Sequence, residues 1–370
     1  MIPVNTPLLN GNEKKYLLEC IETGWISSEG PFIERFEKNM AHFVGRQHGI
    51  AVSNGSAALD VAVRALNFDK GSEVIMPTFT IISPAQSLVN EGLVPVLVDS
   101  NPLTWNMDVT QIEAKITPKT KAILVVHIYG LPTDMNTILN LAKKYNLRII
   151  EDAAEMHGQT YNGKQCGSFG DISIFSFYPN KHITTGEGGM ILTNDDQLAE
   201  RCRTLKNLCF KPGRRFVHDE LGWNYRMTNM QAALGVAQLE NIGSIVERKR
   251  EIGERYNQNL KELKKLQLPL KATDYAENIY WVYGLIAGTE DMALAIQKKL
   301  GDNKIGNRPF FWCMHEQPVF NKQGLFLNET YPQAEKLART GFYIPSGLGL
   351  SNTEIDEVSE HVIKAVRYYE

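Results

Sequence analysis

Cysteine is scarce. The five in 370 residues (Cys20, Cys166, Cys202, Cys209 and Cys313) are odd in number, and no two form a C-x-x-C pair. That argues against both a disulfide framework and a metal site built on cysteine pairs, and it suits a reducing compartment. Long apolar runs are missing too: stretches such as Ala122 to Val126 fall far short of the ~20 residues that span a bilayer. The opening MIPVNTPLLNGNEKKY has no basic-then-apolar leader, so the expected location is the cytoplasm and no membrane partner is expected. Neither sign of charge dominates. With 39 Lys and Arg against 42 Asp and Glu, the net charge of −3 gives no pull toward nucleic acid. Internal repeats and low-complexity stretches are absent. No G-x-G-x-x-G follows the first strand-like run, which sets aside a nicotinamide-binding fold.

What is present is an alternation of short apolar runs with helical periodicity. HGIAVS, EVIMP, LVPVLVD, KAILVVHIYG, LRIIEDAA and ISIFSFYP read as buried strands, while SAALDVAVRAL and NTILNLAKKYN read as helices. Such alternation predicts an α/β fold with a mostly parallel sheet covered on both faces, with ligands beyond the carboxyl ends of the strands. A long helical stretch, MTNMQAALGVAQLENIGSIVERKREIGERYNQNLKELKKL, is expected to bridge to a second unit, with Gly243-Ser244 as the break. The expected units are 1–243, large and carrying an N-terminal lid segment, and 244–370, smaller and α+β. The charged segment from Glu247 to Lys265 reads as a solvated helix face, and YWVYGLIAG and IGNRPFFW as later strands.

Four segments carry chemistry. Ser53-Asn54-Gly55-Ser56 follows a strand and opens a helix, where free backbone N–H groups favour an anion; a turn with a capping serine is the plainer account. Asp152, in Glu151-Asp152-Ala153-Ala154-Glu155, stands at a strand's carboxyl end, where a carboxylate holds a ring nitrogen protonated or simply caps a helix. Lys181, in Ser176-Phe177-Tyr178-Pro179-Asn180-Lys181-His182-Ile183-Thr184-Thr185-Gly186-Glu187-Gly188-Gly189, lies between an apolar run and a glycine-rich turn, an odd place for a merely solvated amine. A lysine of lowered pKa condenses with an aldehyde and moves protons. Ser176 is placed to bond a phosphate, with a purely structural strand-end serine as the plainer account. Gly222-Trp223-Asn224-Tyr225-Arg226-Met227-Thr228-Asn229 is a polar, aromatic entry to the bridging helix.

Taken in order, SNGS, EDAAE, SFYPNKHITTGEGG and NYRMTN resemble the DegT/DnrJ/EryC1/StrS sugar aminotransferases, within the aspartate-aminotransferase-like fold that binds pyridoxal 5′-phosphate. The resemblance runs from Gly24-Trp25-Ile26-Ser27-Ser28 to Arg308-Pro309-Phe310-Phe311 and Met314-His315. It implies Lys181 as the lysine bonded to the cofactor, Asp152 on the ring nitrogen and Glu155 near the ring hydroxyl. It also implies that Gly55, Ser56 and Ser176 cradle the phosphate, joined by Asn224 from a second subunit of a homodimer; pairing of dimers into tetramers stays open. Where relatives carry a stacking aromatic after P-x-x-T, this chain has Ile81 after Pro77-Thr78-Phe79-Thr80. An aliphatic side chain covers a ring without stacking on it. Pro179 stands in place of a glycine common in the branch that combines WISS, VSNG, VHIYG, FGDIS, TTGEGGM and NYRMTN.

That branch implies transfer of the amino group of L-glutamate, through pyridoxamine phosphate, to C4 of GDP-4-keto-6-deoxy-D-mannose. The product, GDP-perosamine, would serve O-antigen or another surface glycan. Trp25 and Ser28, in a glycine-flanked loop, and Arg215, Arg308 and His315 are candidate contacts for the sugar nucleotide, each with a plainer account as a packing, solvated or hydrogen-bonded side chain. No metal is expected. Alternatives are a UDP- or dTDP-sugar 4- or 3-aminotransferase, a keto-deoxy-sugar 3-dehydratase, which carries histidine where Lys181 stands, and a non-catalytic regulator on the same scaffold.

Overall fold

The computed structural model describes residues 1–211 and 213–367, with the side chain of Arg215 also outside the described residues. Seven strands build the main sheet: β1 (His48–Val52), β2 (Glu73–Pro77), β3 (Val94–Val98), β4 (Thr120–Val126), β5 (Arg148–Asp152) and, after the short hairpin of β6 (Thr160–Tyr161) and β7 (Lys164–Gln165), β8 (Ile172–Ser176) and β9 (Gly189–Thr193). Their spatial order is β1-β9-β8-β5-β4-β2-β3. The β2/β3, β2/β4, β4/β5 and β5/β8 pairs are parallel. β9 runs against both its neighbours, β1 and β8. The expected mostly parallel sheet is therefore present, with one reversed strand that the apolar runs did not single out.

Successive strand residues face opposite sides, so a sheet buried on both faces needs apolar residues at every position. β4 shows this: Ala122, Leu124 and Val126 enter one apolar cluster, while Ile123 and Val125 enter another. Helices α3 (Gly55–Ala65) and α4 (Ser83–Asn90) cover the first face. Helices α2 (Pro31–Val44), α5 (Met135–Tyr145) and α7 (Asn229–Glu240) cover the second, and α1 (Glu13–Thr23) packs on α7. α6 (Asp196–Leu205) lies beside α3 on the first face. The bridging stretch breaks at Asn241, two residues before the expected Gly243-Ser244, and α8 (Ile242–Leu260) runs through that pair without interruption. Asn241 leaves helical geometry with its N–H shared between Gln238 and Leu239, and this ends α7.

The segment expected to be a solvated face is one only in part. α8 buries Lys249, Ile252, Tyr256 and Leu260 against a second, four-stranded sheet. After the hairpin of β10 (Phe210–Lys211) and β11 (Arg214–His218), that sheet comprises β12 (Leu266–Gln267), β13 (Tyr283–Ala287), β14 (Arg308–Pro309) and β15 (Gly341–Ile344), in the order β12-β13-β15-β14. The IGNRPFFW run thus contributes only a two-residue strand. Among the described residues no helix is long and apolar enough to cross a membrane.

Candidate active site

β5 and β8 end side by side, and the first turn of α3 comes down beside them. The approach of α3 depends on Gly55: a Cβ there would lie 2.7 Å from Cβ of Ser176 and 3.0 Å from its Oγ. Asn54 caps the helix by accepting from the Ala57 N–H at 2.8 Å, and a helix start leaves further N–H groups without intrahelical partners. Ser56 Oγ and Ser83 Oγ are 2.7 Å apart. These features form one end of a cavity of about 550 Å³.

The other end holds an amine between acids. Asp152 and Glu155 are buried, and Lys181 is partly exposed to the cavity that all three line. Burial pushes the Asp152 carboxyl up to about 6, against the Ala154 N–H it accepts at 3.0 Å and the charge of Lys181. Glu155 is pushed up to about 8 by burial, which outweighs Lys181 and the Tyr129 N–H at 2.7 Å. Burial pulls Lys181 down, and Glu155 and Asp152 oppose that pull. The loop carrying it turns at Gly186, whose φ of +81° lies in the left-handed region glycine tolerates.

Of the residues singled out in the sequence, Gly55, Ser56, Ile81, Asp152, Glu155, Ser176 and Lys181 meet on this cavity. Asn224 does not: it is exposed, and its Oδ1 accepts from Arg226 Nε at 2.8 Å. Trp25 is also exposed, its carbonyl accepting from Asn229 Nδ2 at 2.8 Å. Ser28 lines a different cavity with Glu37, Lys206 and Arg226. Arg308 is exposed on β14, paired in register with Tyr343 of β15, which does line the site. His315 is buried away from it, with Nδ1 2.8 Å from Thr78 Oγ1 and Nε2 3.1 Å from Glu335 Oε1. Those bonds occupy both ring nitrogens, so within one chain His315 has no free nitrogen for a substrate. Arg215's side chain lies outside the described residues.

Sequence reasoning missed Trp281, Phe311 and Tyr343, which wall the cavity from the segments that build the smaller sheet. The apolar runs around Trp281 and Phe311 signalled strands but not what they face, and the run around Tyr343 was not read as a strand. It also passed over Thr80 and Asn180, although both stand in segments already quoted. Each lines the cavity, and Thr80 Oγ1 and Asn180 Oδ1 are buried without a hydrogen-bond partner among the described residues.

Aminotransferase TlmJ from Streptoalloteichus hindustanus superposes with a TM-score of 0.93 at 27% identity, covering 100% of both chains. The aminotransferase from Psychrobacter cryohalolentis does so at 0.91 and 29%, covering 98% of each. Fold and site define the class, an aminotransferase that works with pyridoxal phosphate. More particularly, the chain belongs to the DegT/DnrJ/EryC1/StrS aminotransferase family, whose profile matches residues 7–363. GDP-perosamine synthase of Escherichia coli O157:H7 is 43% identical over 361 residues, 98% of this chain and 97% of its own. GDP-perosamine synthase of Vibrio cholerae is 40% identical over 363 residues, with 97% of each chain covered. The residues present fit the cofactor: a helix start for a phosphate, a lone amine, a buried carboxyl and unpartnered polar atoms share one cavity.

Proposed function

We propose that this protein transfers the amino group of L-glutamate to C4 of GDP-4-keto-6-deoxy-D-mannose, yielding GDP-perosamine and 2-oxoglutarate, for O-antigen or another surface glycan. Identities of 40–43% to GDP-perosamine synthases along nearly the whole chain support the substrate. The observation that carries the chemistry is Lys181 beside two buried carboxyls in one cavity.

Pyridoxal phosphate, when bound, supplies the aldehyde that carries nitrogen and the ring that accepts an electron pair. Lys181 would hold that aldehyde, and its amine is the group placed to move a proton at the donor's α-carbon and at C4 of the sugar. Burial helps here, because a lowered pKa leaves more of the amine neutral near physiological pH. Asp152 would pair with the ring nitrogen and keep it charged, since a cation there would favour the carboxylate over the acid that burial prefers. Glu155, which burial pushes up to about 8 in the cofactor-free protein, would share a hydrogen bond with the ring hydroxyl. Gly55, Ser56 and Ser176 would hold the phosphate, and Ile81 would cover the ring.

The working form is a cytoplasmic homodimer in which Asn224 reaches the partner's phosphate. Its exposure, and the strongly exposed Phe216 (75%) and Leu221 (85%) in the neighbouring hairpin and loop, support an interface there. Residues 1–243 serve as the cofactor-binding unit and 244–370 as the smaller one. The test offers purified protein L-glutamate and a panel of 4-keto-6-deoxy nucleotide sugars, with products identified by mass spectrometry and NMR. An amine at C4 of the GDP-linked sugar is the expected outcome; conversion of only a UDP- or dTDP-linked sugar overturns the assignment.

A further inference from the structure

Trp281 touches the Lys181 segment at two points. Its indole face lies 3.9 Å, centroid to Nζ, from the Lys181 ammonium. Its Nε1–H donates to the carbonyl of Asn180, the residue before Lys181, at 2.9 Å. The ring is only 4% exposed and is flanked by Tyr129 (centroids 5.8 Å, planes 28° apart) and Phe311 (6.4 Å, 21°). One rigid side chain therefore meets both the backbone and the reactive end of the lysine.

Behind it stands a buried amine that packing alone does not explain. Lys249 of α8 is 3% exposed, and its Nζ donates to the Trp281 carbonyl at 3.0 Å and to the Ser346 carbonyl at 2.5 Å. Among the described residues its partners are these two carbonyls and no carboxylate, and burial pushes it down to about 7. A methionine would fill the same space without the cost of a buried amine. What lysine adds is two directed bonds, one of them on the main chain of Trp281.

We propose that Trp281 is a positioning residue for Lys181, holding its ammonium by the indole face and its backbone by the indole N–H, while Lys249 pins the Trp281 main chain from the core. The proposal rests on the reading of Lys181 as the reacting amine. An aromatic face attracts a cation, so the indole favours the charged amine and works with Asp152 and Glu155 against burial. Those two carboxyls are the charged groups acting on Lys181, which in turn acts on the buried His157 and His182, and Lys249 acts on His182.

The test reads Lys181 directly in the cofactor-free protein, by competitive acetylation across pH with the Lys181 peptide quantified by mass spectrometry. Trp281→Leu removes face and N–H together, and the apparent pKa of Lys181 should fall by about 0.5–1.5 units. Trp281→Phe keeps a face and loses the N–H; the pKa should stay within about 0.3 units of wild type while kcat drops roughly tenfold at little-changed KM for glutamate. Lys249→Met frees the Trp281 carbonyl and should lower kcat as Trp281→Phe does, at little-changed KM for glutamate; wild-type kcat in the folded variant overturns the role of Lys249. A folded Trp281→Leu protein whose Lys181 titrates as wild type overturns the proposal. If that variant does not fold, wild-type kcat in Trp281→Phe overturns it instead. The underlying reading fails separately: wild-type protein that gains no visible absorbance with pyridoxal phosphate, or Lys181→Ala that keeps it, removes the lysine's role whatever Trp281 does.

Discussion

Asp152 and Glu155 stand three residues apart on the turn that leaves β5, and burial shifts both the same way for the same reason. A carboxylate in a low-dielectric wall loses its hydration, and one nearby amine does not repay that for two acids. In the cofactor-free protein Asp152 therefore ties stability to pH. Its folded pKa, about 6, lies above the ordinary 3.8, so the folded state holds the proton more tightly than the unfolded chain. The stabilising contribution of the protonated form is whole below about pH 4 and is lost as pH rises through about 6. Asn cannot ionise, and its amide oxygen still accepts from Ala154. The stability of Asp152→Asn relative to wild type should thus rise by about 1–2 kcal/mol between pH 5 and pH 8, measured by urea unfolding of cofactor-free protein. A difference that stays flat with pH would show that Asp152 does not titrate there. The same variant should lose turnover, because an amide does not keep a ring nitrogen charged.

The N-terminus of α3 shows how an element makes a site that no single residue makes. Its N–H groups converge because the helix begins where the sheet ends, and it approaches that closely because residue 55 lacks a side chain. Gly55→Ala introduces a carbon 2.7 Å from Ser176 Cβ, so either the helix start or Ser176 must move. Cofactor affinity should fall at least about tenfold, about 1.4 kcal/mol, by spectroscopic titration, with helix content unchanged by circular dichroism. Unchanged affinity would place the phosphate elsewhere. α7 offers a contrast. Thr228 and Gln231 form a capping box that fixes its start, worth about 1 kcal/mol, and that signal was readable in the sequence as a helix entry.

At the scale of the molecule, the single chain builds the cavity but leaves Asn224 outside it. If two subunits share each site, two dead variants should complement. Lys181→Ala lacks the amine of its own site, and Asn224→Asp sets a negative charge against the partner's phosphate. After subunit exchange at equal concentrations, half of the dimers are mixed and each holds one intact site, so activity should recover to about a quarter of wild type. Mixed dimers demonstrated by native mass spectrometry but devoid of activity would mean that Asn224 acts within its own chain or not at all.

Much of this protein could be read without its fold. Strands β1 to β5 and β8 and the helix starts at Gly55 and Asn229 were legible because local rules govern them, while the grouping of Gly55, Ser56, Asp152, Glu155, Ser176 and Lys181, which line one cavity, followed from the family resemblance of their motifs. Apolar runs pair into sheets, caps start helices, and chemistry gathers where strands end. Other features depended on segments far apart in the chain. β9 inserts in reverse between β1 and β8, Trp281 comes up beneath a lysine one hundred residues earlier, and Lys249 leaves an apparently solvated face to bond two carbonyls in the core. His315, legible as a reactive type, is taken up by Thr78 and Glu335. Periodicity and local motifs set which way a side chain faces on its own element, but only packing decides what it meets there, because that depends on every other segment competing for the same space.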